Sequence, residues 1–487
     1  MKRIVRFAII LLLTGCGDFL EEKSQSEVRP ATVTDMEKIM LGDVYFSGGD
    51  LFNTATDIFT DDLQCSQTTS SFQENAKNTK RWLFSWDARM FDDGFGGLNL
   101  TFWTKPYEYI KGCNVVLDYL DEMKGNAEKR EYLRGEALTM RGFYYLMLVN
   151  FFGLPYNMGD PNKNPGVPLK LTSGVSDEML PRHTVAQVYQ QIEKDLVTGV
   201  KLMEEHDIEH TDIRRINPLV GHGLLSRMYL YREDWDKVIE QTNLVIEQSP
   251  YLHDLSQDTL SFVYDNSVVG HVASAEVLWN ADQGGGGNET ERTAFIVSDD
   301  LVNLFGRDME QGDSLDVRAD FMGDRLNAYL VAGSNSGDSW VAYVKKSYVN
   351  NSGGMRIAEL YLNRAEAYCR KYIETGNIQQ GQTALDDLNY LRKHRFMGPR
   401  VNKELSNFSN AEELLDFCLR ERRRELCGEC NFRWFDIRRL GLSVEHLFFF
   451  NDGEETTTIL QANDPRYALP IPSKILDVNT ALVQNKY

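Results

Sequence analysis

Positive charge is in short supply in this 487-residue chain: Lys and Arg number 52 against 72 Asp and Glu, a formal charge of −20. A nucleic-acid duplex repels such a surface, so nucleic-acid binding is not expected, and adsorption to anionic lipid through a basic patch is disfavoured for the same reason. Cysteine is sparse too. Beyond Cys16 there are Cys65, Cys113, Cys369, Cys418, Cys427 and Cys430, too few over this length for a disulfide scaffold. No apolar run reaches the roughly 20 residues that cross a bilayer. No GxSxG nucleophile elbow occurs, and no Gly-Lys-Ser/Thr follows the four glycines Gly284 to Gly287 to cradle a phosphate. No motif names a cofactor, and none is expected. What is present is ordinary globular content, 42% hydrophobic and 11% aromatic, enough for a large core.

The N-terminus gives an address. MKRIVRFAIILLLTGC has a basic start, a short apolar run from Phe7 to Leu13, and small residues leading into Cys16, which is the tripartite pattern of a secretory signal. Leu13-Thr14-Gly15-Cys16 resembles a bacterial lipobox, in which the Cys16 thiol is acylated and becomes the first mature residue. Residues 1–15 are then the signal and 16–30 a tether. Removing 1–15 takes away Lys2, Arg3 and Arg6 and no acid, so the mature chain is more acidic still. Buried acyl chains at about 0.8 kcal/mol per CH₂ would hold it to outer-membrane lipid without a transmembrane helix.

Helical periodicity dominates, and it comes in pairs. Tyr109 to Met123 is followed by Arg130 to Phe152, a stretch with scarcely a polar face. Val185 to Met203 is amphipathic. Pro218 opens a helix to about Tyr231, and Trp235 to Glu247 is its partner. Arg356 to Arg370 precedes Gln379 to His394. Pairs of this length match a tetratricopeptide pattern loosely, although they are too scattered along the chain for a continuous solenoid. Between them, Leu51 to Thr101, Tyr251 to Asn351 and His446 to Tyr487 show no helical period, and loops this long are functional or locally folded.

Several motifs invite chemistry and are better explained by structure. His206-Asp207-Ile208-Glu209-His210 fits HxxEH, but it falls where a helix ends, and a frayed end cannot hold two imidazoles in register for zinc. Cys427-Gly428-Glu429-Cys430 is a CxxC after a charged helical run, with no second CxxC to complete a metal site. Glu421-Arg422-Arg423-Arg424-Glu425 and Arg433 to Arg439 interleave both charges, as an interior network of Arg–carboxylate forks requires. Asp61-Asp62 and Asp92-Asp93 suit a solvated turn as well as a cation.

One set of blocks carries a family resemblance. Gly135-Glu136-Ala137-Leu138-Thr139-Met140-Arg141-Gly142-Phe143-Tyr144-Tyr145, followed by Phe152-Gly153-Leu154-Pro155, resembles the EA-x3-RA-x-YY…FG-x-P segment of the SusD/RagB family, with Gly142 where the family has Ala. Pro181-Arg182-His183-Thr184-Val185, Arg356 to Ala367, Glu421 to Leu440 and the tail Leu469-Pro470-Ile471-Pro472…Asn479…Gln484-Asn485 follow in family order. The resemblance implies a mainly α fold, a SusD-like single domain over residues 31–487 on four tetratricopeptide-like helix pairs with long loop-rich insertions, its halves meeting near residue 250. It implies a non-catalytic, outward-facing outer-membrane lipoprotein that binds oligosaccharide, or in some members peptide, and serves a SusC-like TonB-dependent transporter. The matched blocks are scaffold and name no ligand residue.

A glycan binder needs flat rings for sugar C–H faces and planar polar groups for hydroxyl pairs. Trp103, Trp434, Trp235 and Trp279 fall in packing contexts. Trp82, Trp86 and Trp340 are less explained, with Trp86 inclining to the scaffold. The expected site is a shallow polar groove bordered by Trp82, Trp340 and Tyr343, with Asp282, Gln283 and Asn288 nearby. The alternative from another class is a peptide- or protein-binding tetratricopeptide-like scaffold, whose aromatics would line a helical concavity. A glycoside hydrolase would instead need two converging carboxylates.

Overall fold

A computed structural model describes residues 30–46, 54–67, 71–92, 101–206, 208–210, 212–257, 274–280, 294–307, 315–318, 354–398, 401–450 and 453–487. In chain order its helices are α1 (Val33–Ile39), α2 (Ser71–Phe84), α3 (Thr101–Tyr119), α4 (Ala127–Phe152), α5 (Val185–His206), α6 (Pro218–Arg232), α7 (Trp235–Gln248), α8 (Asp299–Arg307), α9 (Ile357–Thr375), α10 (Ile378–Lys393), α11 (Ala411–Leu426), α12 (Phe432–Arg439) and α13 (Ser473–Val478). The strands are β1 (Leu63–Cys65), β2 (Val277–Trp279), β3 (Phe295–Val297), β4 (Leu315–Asp316), β5 (Met355–Arg356), β6 (Phe396–Met397), β7 (Val444–Phe449) and β8 (Glu455–Leu460). They form two-stranded antiparallel ribbons, β1 with β3, β2 with β5, β4 with β6, and the hairpin β7–β8 in register from Val444/Leu460 to Phe449/Glu455. The fold is mainly α, as the periodicity requires.

Local chemistry sets the helix ends. Asn126, Asn217, Asn377 and Asn410 each accept a main-chain N–H as N-caps of α4, α6, α10 and α11, and Pro218 sits at the first position of α6. Gly376 ends α9 in the left-handed conformation, at φ 69°.

The expected pairs are neighbours in space: α3 packs on α4, α6 on α7 and α9 on α10, with α5 between α4 and α6. One expectation is corrected. Although residues 249–356 intervene, α7 packs directly on α9, which also touches α6 and α11. The stack that looked scattered in sequence therefore continues across the insertion. From Tyr132 onward α4 is buried almost throughout, and so is α6 from Val220 to Tyr231; helices without a polar face must be covered on all sides. Among the described residues one apolar cluster runs from Val33 to Leu482.

Glycines allow a close approach between α4 and α5. A Cβ on Gly199 would lie 2.7 Å from the Gly135 carbonyl oxygen and collide with the Thr139 hydroxyl, and a Cβ on Gly135 would lie 2.7 Å from the Gly199 carbonyl. At Gly142, the departure from the family pattern, a Cβ would meet the Leu196 side chain at 3.1 Å and the Ile192 carbonyl oxygen at 3.4 Å.

Candidate functional site

The charged block is interior, and its charges are used up there. Arg318, Arg356, Arg392, Arg395 and Arg424 meet Glu276, Asp316, Glu421, Glu425 and Glu429, all ten buried. Arg356 reaches Glu276 at 2.6 Å, Glu425 at 2.9 Å and Glu429 at 2.8 Å; Arg395 reaches Glu276 at 2.9 Å; Arg318 reaches Asp316 at 2.7 Å and Glu425 at 2.9 Å; Arg392 reaches Glu421 at 2.6 Å, and Arg424 also pairs with Glu421. Among the described residues the set holds five guanidiniums and five carboxylates. Burial opposes ionisation of Glu421, but Arg424, Arg392 and Arg318 outweigh it and hold the carboxyl well below its ordinary range. A second set, Arg422–Asp436–Arg439–Glu366, ties α11 and α12 to α9.

Two arginines are satisfied differently. Arg182 donates to the carbonyls of Phe152, Pro165, Gly166 and Val483 and to Asn485, and Arg438 donates to the carbonyls of Tyr467 and Gly153. No carboxylate joins them in these bonds. Burial is the main influence and lowers each guanidinium to about 10. Both act on the C-terminal end of α4, where orphan carbonyls and the negative end of the helix dipole favour a cation. This explains why the Phe152-Gly153-Leu154-Pro155, Pro181-Arg182 and Arg433 to Arg439 blocks belong together: they build one helix stop.

The motifs read as structural behave so. His206 pairs with Glu128, His210 bonds the Ile216 carbonyl at 2.9 Å, and Glu209 is exposed. Among the described residues no group of His, Cys, Asp and Glu could hold a metal ion. Cys427 and Cys430 are both buried and unbridged, and burial pushes the Cys430 thiol up to about 12, where it is a poor nucleophile. Asp61 and Asp62 are not a solvated turn: Arg433 holds Asp61 at 2.7 Å and Arg423 holds Asp62 at 2.8 Å.

Trp103, Trp434 and Trp279 are buried, as their contexts require, and Trp86 is buried as well. Trp82 is half-buried and differs from expectation in its setting. It lies on α2, a helix within a segment that showed no helical period, with the Arg81 guanidinium 4.3 Å and the Arg89 guanidinium 5.0 Å from its ring centroid. Asp87 clamps Arg89 through two bonds, at 3.0 and 3.2 Å. Trp340, Tyr343, Asp282, Gln283, Asn288 and Cys16 lie outside the described residues.

In the first pair the chain itself covers one helical face. Residues 168–172 lie against α3 and α4: Tyr107 donates to the Pro168 carbonyl, Asn114 to those of Lys170 and Thr172, and Arg141 to that of Leu171. The Tyr145 hydroxyl both donates to the Lys170 carbonyl and accepts its N–H, each at 2.8 Å. Arg141 and Tyr145 fall in a matched scaffold block, whose sequence gives no sign that they grip the chain's own extended segment. Among the described residues no helix is long and apolar enough to cross a membrane.

With this geometry in view, similarity to known proteins can be stated. The family pattern described as "Starch-binding associating with outer membrane" matches residues 18–230, and the one described as "SusD family" matches residues 338–487. SusD-like protein P2 of Formosa agariphila is 23% identical, aligned over 100% of this chain and 99% of its own length. A SusD superfamily protein from Bacteroides thetaiotaomicron superposes with TM-score 0.67 at 23% identity, covering 94% of this chain and 100% of that one. Surface glycan-binding protein A from Bacteroides uniformis gives TM-score 0.63 at 20% identity, with 93% and 99% covered.

Proposed function

The chain belongs to the SusD family, and from that premise we propose that it is a non-catalytic cell-surface lipoprotein that binds oligosaccharides and delivers them to a SusC-like TonB-dependent transporter. The observation that carries this reading is the span of the likeness: one family pattern lies on each half of the chain, and relatives that include a surface glycan-binding protein match it nearly end to end. The interior supports it from the other side. The arginine-rich blocks that could have formed an anion or catalytic site are neutralised within the core, so ligand contact falls to the loops and their borders.

Within this reading Cys16 carries the lipid, residues 16–30 are the tether, and residues 31–487 form one SusD-like unit at the outer membrane. The ligand groove is bordered by Trp82, Trp340 and Tyr343, with Asp282, Gln283 and Asn288 as its polar groups. The peptide-binding alternative is disfavoured at the α3–α4 face, because that face already holds residues 168–172. A glycan array probed with the mature chain, Cys16 replaced by Ser, tests the class of ligand. Binding to a defined oligosaccharide family is expected; binding to peptides with no response to any glycan would replace this reading with the scaffold one.

A further inference from the structure

The turn that ends α2 is held by something its own sequence does not supply. Trp86 is buried with φ at 51°, in the left-handed region that a bulky residue rarely adopts, and such strain persists only where surrounding groups over-determine it. Its indole Nε1 donates to the Phe59 carbonyl at 3.1 Å. Its ring stacks on the imidazole of His446 in β7, centroids 4.4 Å apart and planes 17° from parallel, while Phe84 stacks on the same imidazole at 3.8 Å and 8°. Two rings so close and so nearly parallel occupy the two faces of the histidine.

The edges of His446 are equally committed. Nδ1 lies 2.6 Å from the Phe84 carbonyl oxygen and Nε2 2.9 Å from that of Thr60. A carbonyl can only accept, and a neutral imidazole has one N–H, so a neutral ring would point a lone pair at an oxygen. Burial is the strongest influence on this ring and lowers its pKa, while the two carbonyl bonds and the Asp61 carboxylate act in the opposite direction. Asp61 is itself paired with Arg433, and its neighbour Asp62 with Arg423; the cross-strand residue Thr458 is uncharged. Hydrogen-bond bookkeeping decides the state, because only the imidazolium satisfies both carbonyls, and two desolvated aromatic faces attract a cation.

We propose that His446 is a positively charged positioning residue, an imidazolium at neutral pH that fixes the strained Trp86 turn and through it Trp82 at the border of the ligand groove. The link runs through the main chain: the Trp82 carbonyl accepts the Asp87 N–H at 2.9 Å across that turn. The proposal rests on the reading that α2 borders the groove, but its test needs no ligand. Histidine-selective ¹⁵N labelling, assigned with a His446→Gln variant, should show both ring nitrogens protonated at pH 7 and a midpoint above pH 7. In protein labelled with 5-fluorotryptophan, the Trp86 and Trp82 resonances, assigned with Trp→Phe variants, should shift with that midpoint and lose the dependence in His446→Gln. A neutral His446 at pH 7, or Trp82 and Trp86 signals indifferent to its titration, would overturn the proposal while leaving the family reading intact. If His446→Gln does not fold, the His446 signal is assigned by elimination with single substitutions at the other histidines, and its titration in the wild-type chain decides.

Discussion

Replacing Glu425 by Gln removes one negative charge from a buried set that, among the described residues, holds five charges of each sign. Glu425 Oε1 accepts from Arg356 at 2.9 Å and from Arg395 at 3.1 Å, and Oε2 accepts from Arg318 at 2.9 Å. The amide retains one acceptor oxygen and turns N–H donors toward guanidiniums that are themselves donors only. Breaking a buried pair in this way costs about 3–5 kcal/mol, because an uncompensated charge stays behind. Against a total stability of about 5–15 kcal/mol, that is about a fifth of the margin or more. Urea denaturation followed by far-UV circular dichroism should show a lower midpoint at unchanged slope. The exposed strand residue Glu455 supplies the control, since Glu455→Gln should stay within about 0.5 kcal/mol. A Glu425→Gln protein within about 1 kcal/mol of the parent would refute the claim that these charges are matched and dry.

Other outcomes follow from the same structure. Gly199→Ala should destabilise by about 1–3 kcal/mol, since its Cβ meets main chain and a packed hydroxyl; Gly142→Ala, whose Cβ meets the Leu196 side chain at 3.1 Å and the Ile192 carbonyl at an ordinary 3.4 Å, should be neutral or stabilising by up to about 1 kcal/mol through helix propensity, and paired thermal melts separate the two. Glu421, Glu366 and Asp436 are each pushed up by burial, but their arginine partners outweigh it and hold them below ordinary carboxylate values, as the Arg232, Lys237 and Tyr229 bonds hold Glu193 at about 2. Their stabilisation is therefore complete above about pH 4–5 and is lost as pH falls further, so acid unfolding should set in below about pH 4, and a stability flat from pH 6 to pH 2 would contradict the ion network. Cys16→Ala should abolish labelling by palmitate analogues and release the protein from the membrane fraction. Given the −20 charge, neutral oligosaccharides should bind better than sulfated ones at low salt, and tight binding of a highly sulfated polysaccharide would reverse that.

The sequence exposed the stack because helices that bury one face, or every face, write their period in apolar residues; α4, α5, α6, α7, α9 and α10 were found within a few residues of their ends, apart from the start of α3. It also exposed the interior network, since carboxylates interleaved with arginines at helical spacing leave few alternatives. It concealed α2. The buried face of that helix is Ala76, Lys77, Lys80, Leu83 and Phe84, and two lysines in a core-facing stripe erase the apolar period. It concealed the α4 helix stop and the hold on residues 168–172 as well, because both rely on side chains bonding main-chain carbonyls distant in sequence. His446 only opens a stretch without helical period, and nothing local marks a ring clamped on both faces and both edges.

The most direct measurement is isothermal titration of a glycan-array hit into the mature, unlipidated chain, with chromatography of the oligosaccharide recovered from the cell. The account predicts saturable binding and an oligosaccharide of unchanged length. Shortened products at a rate proportional to protein concentration would contradict it.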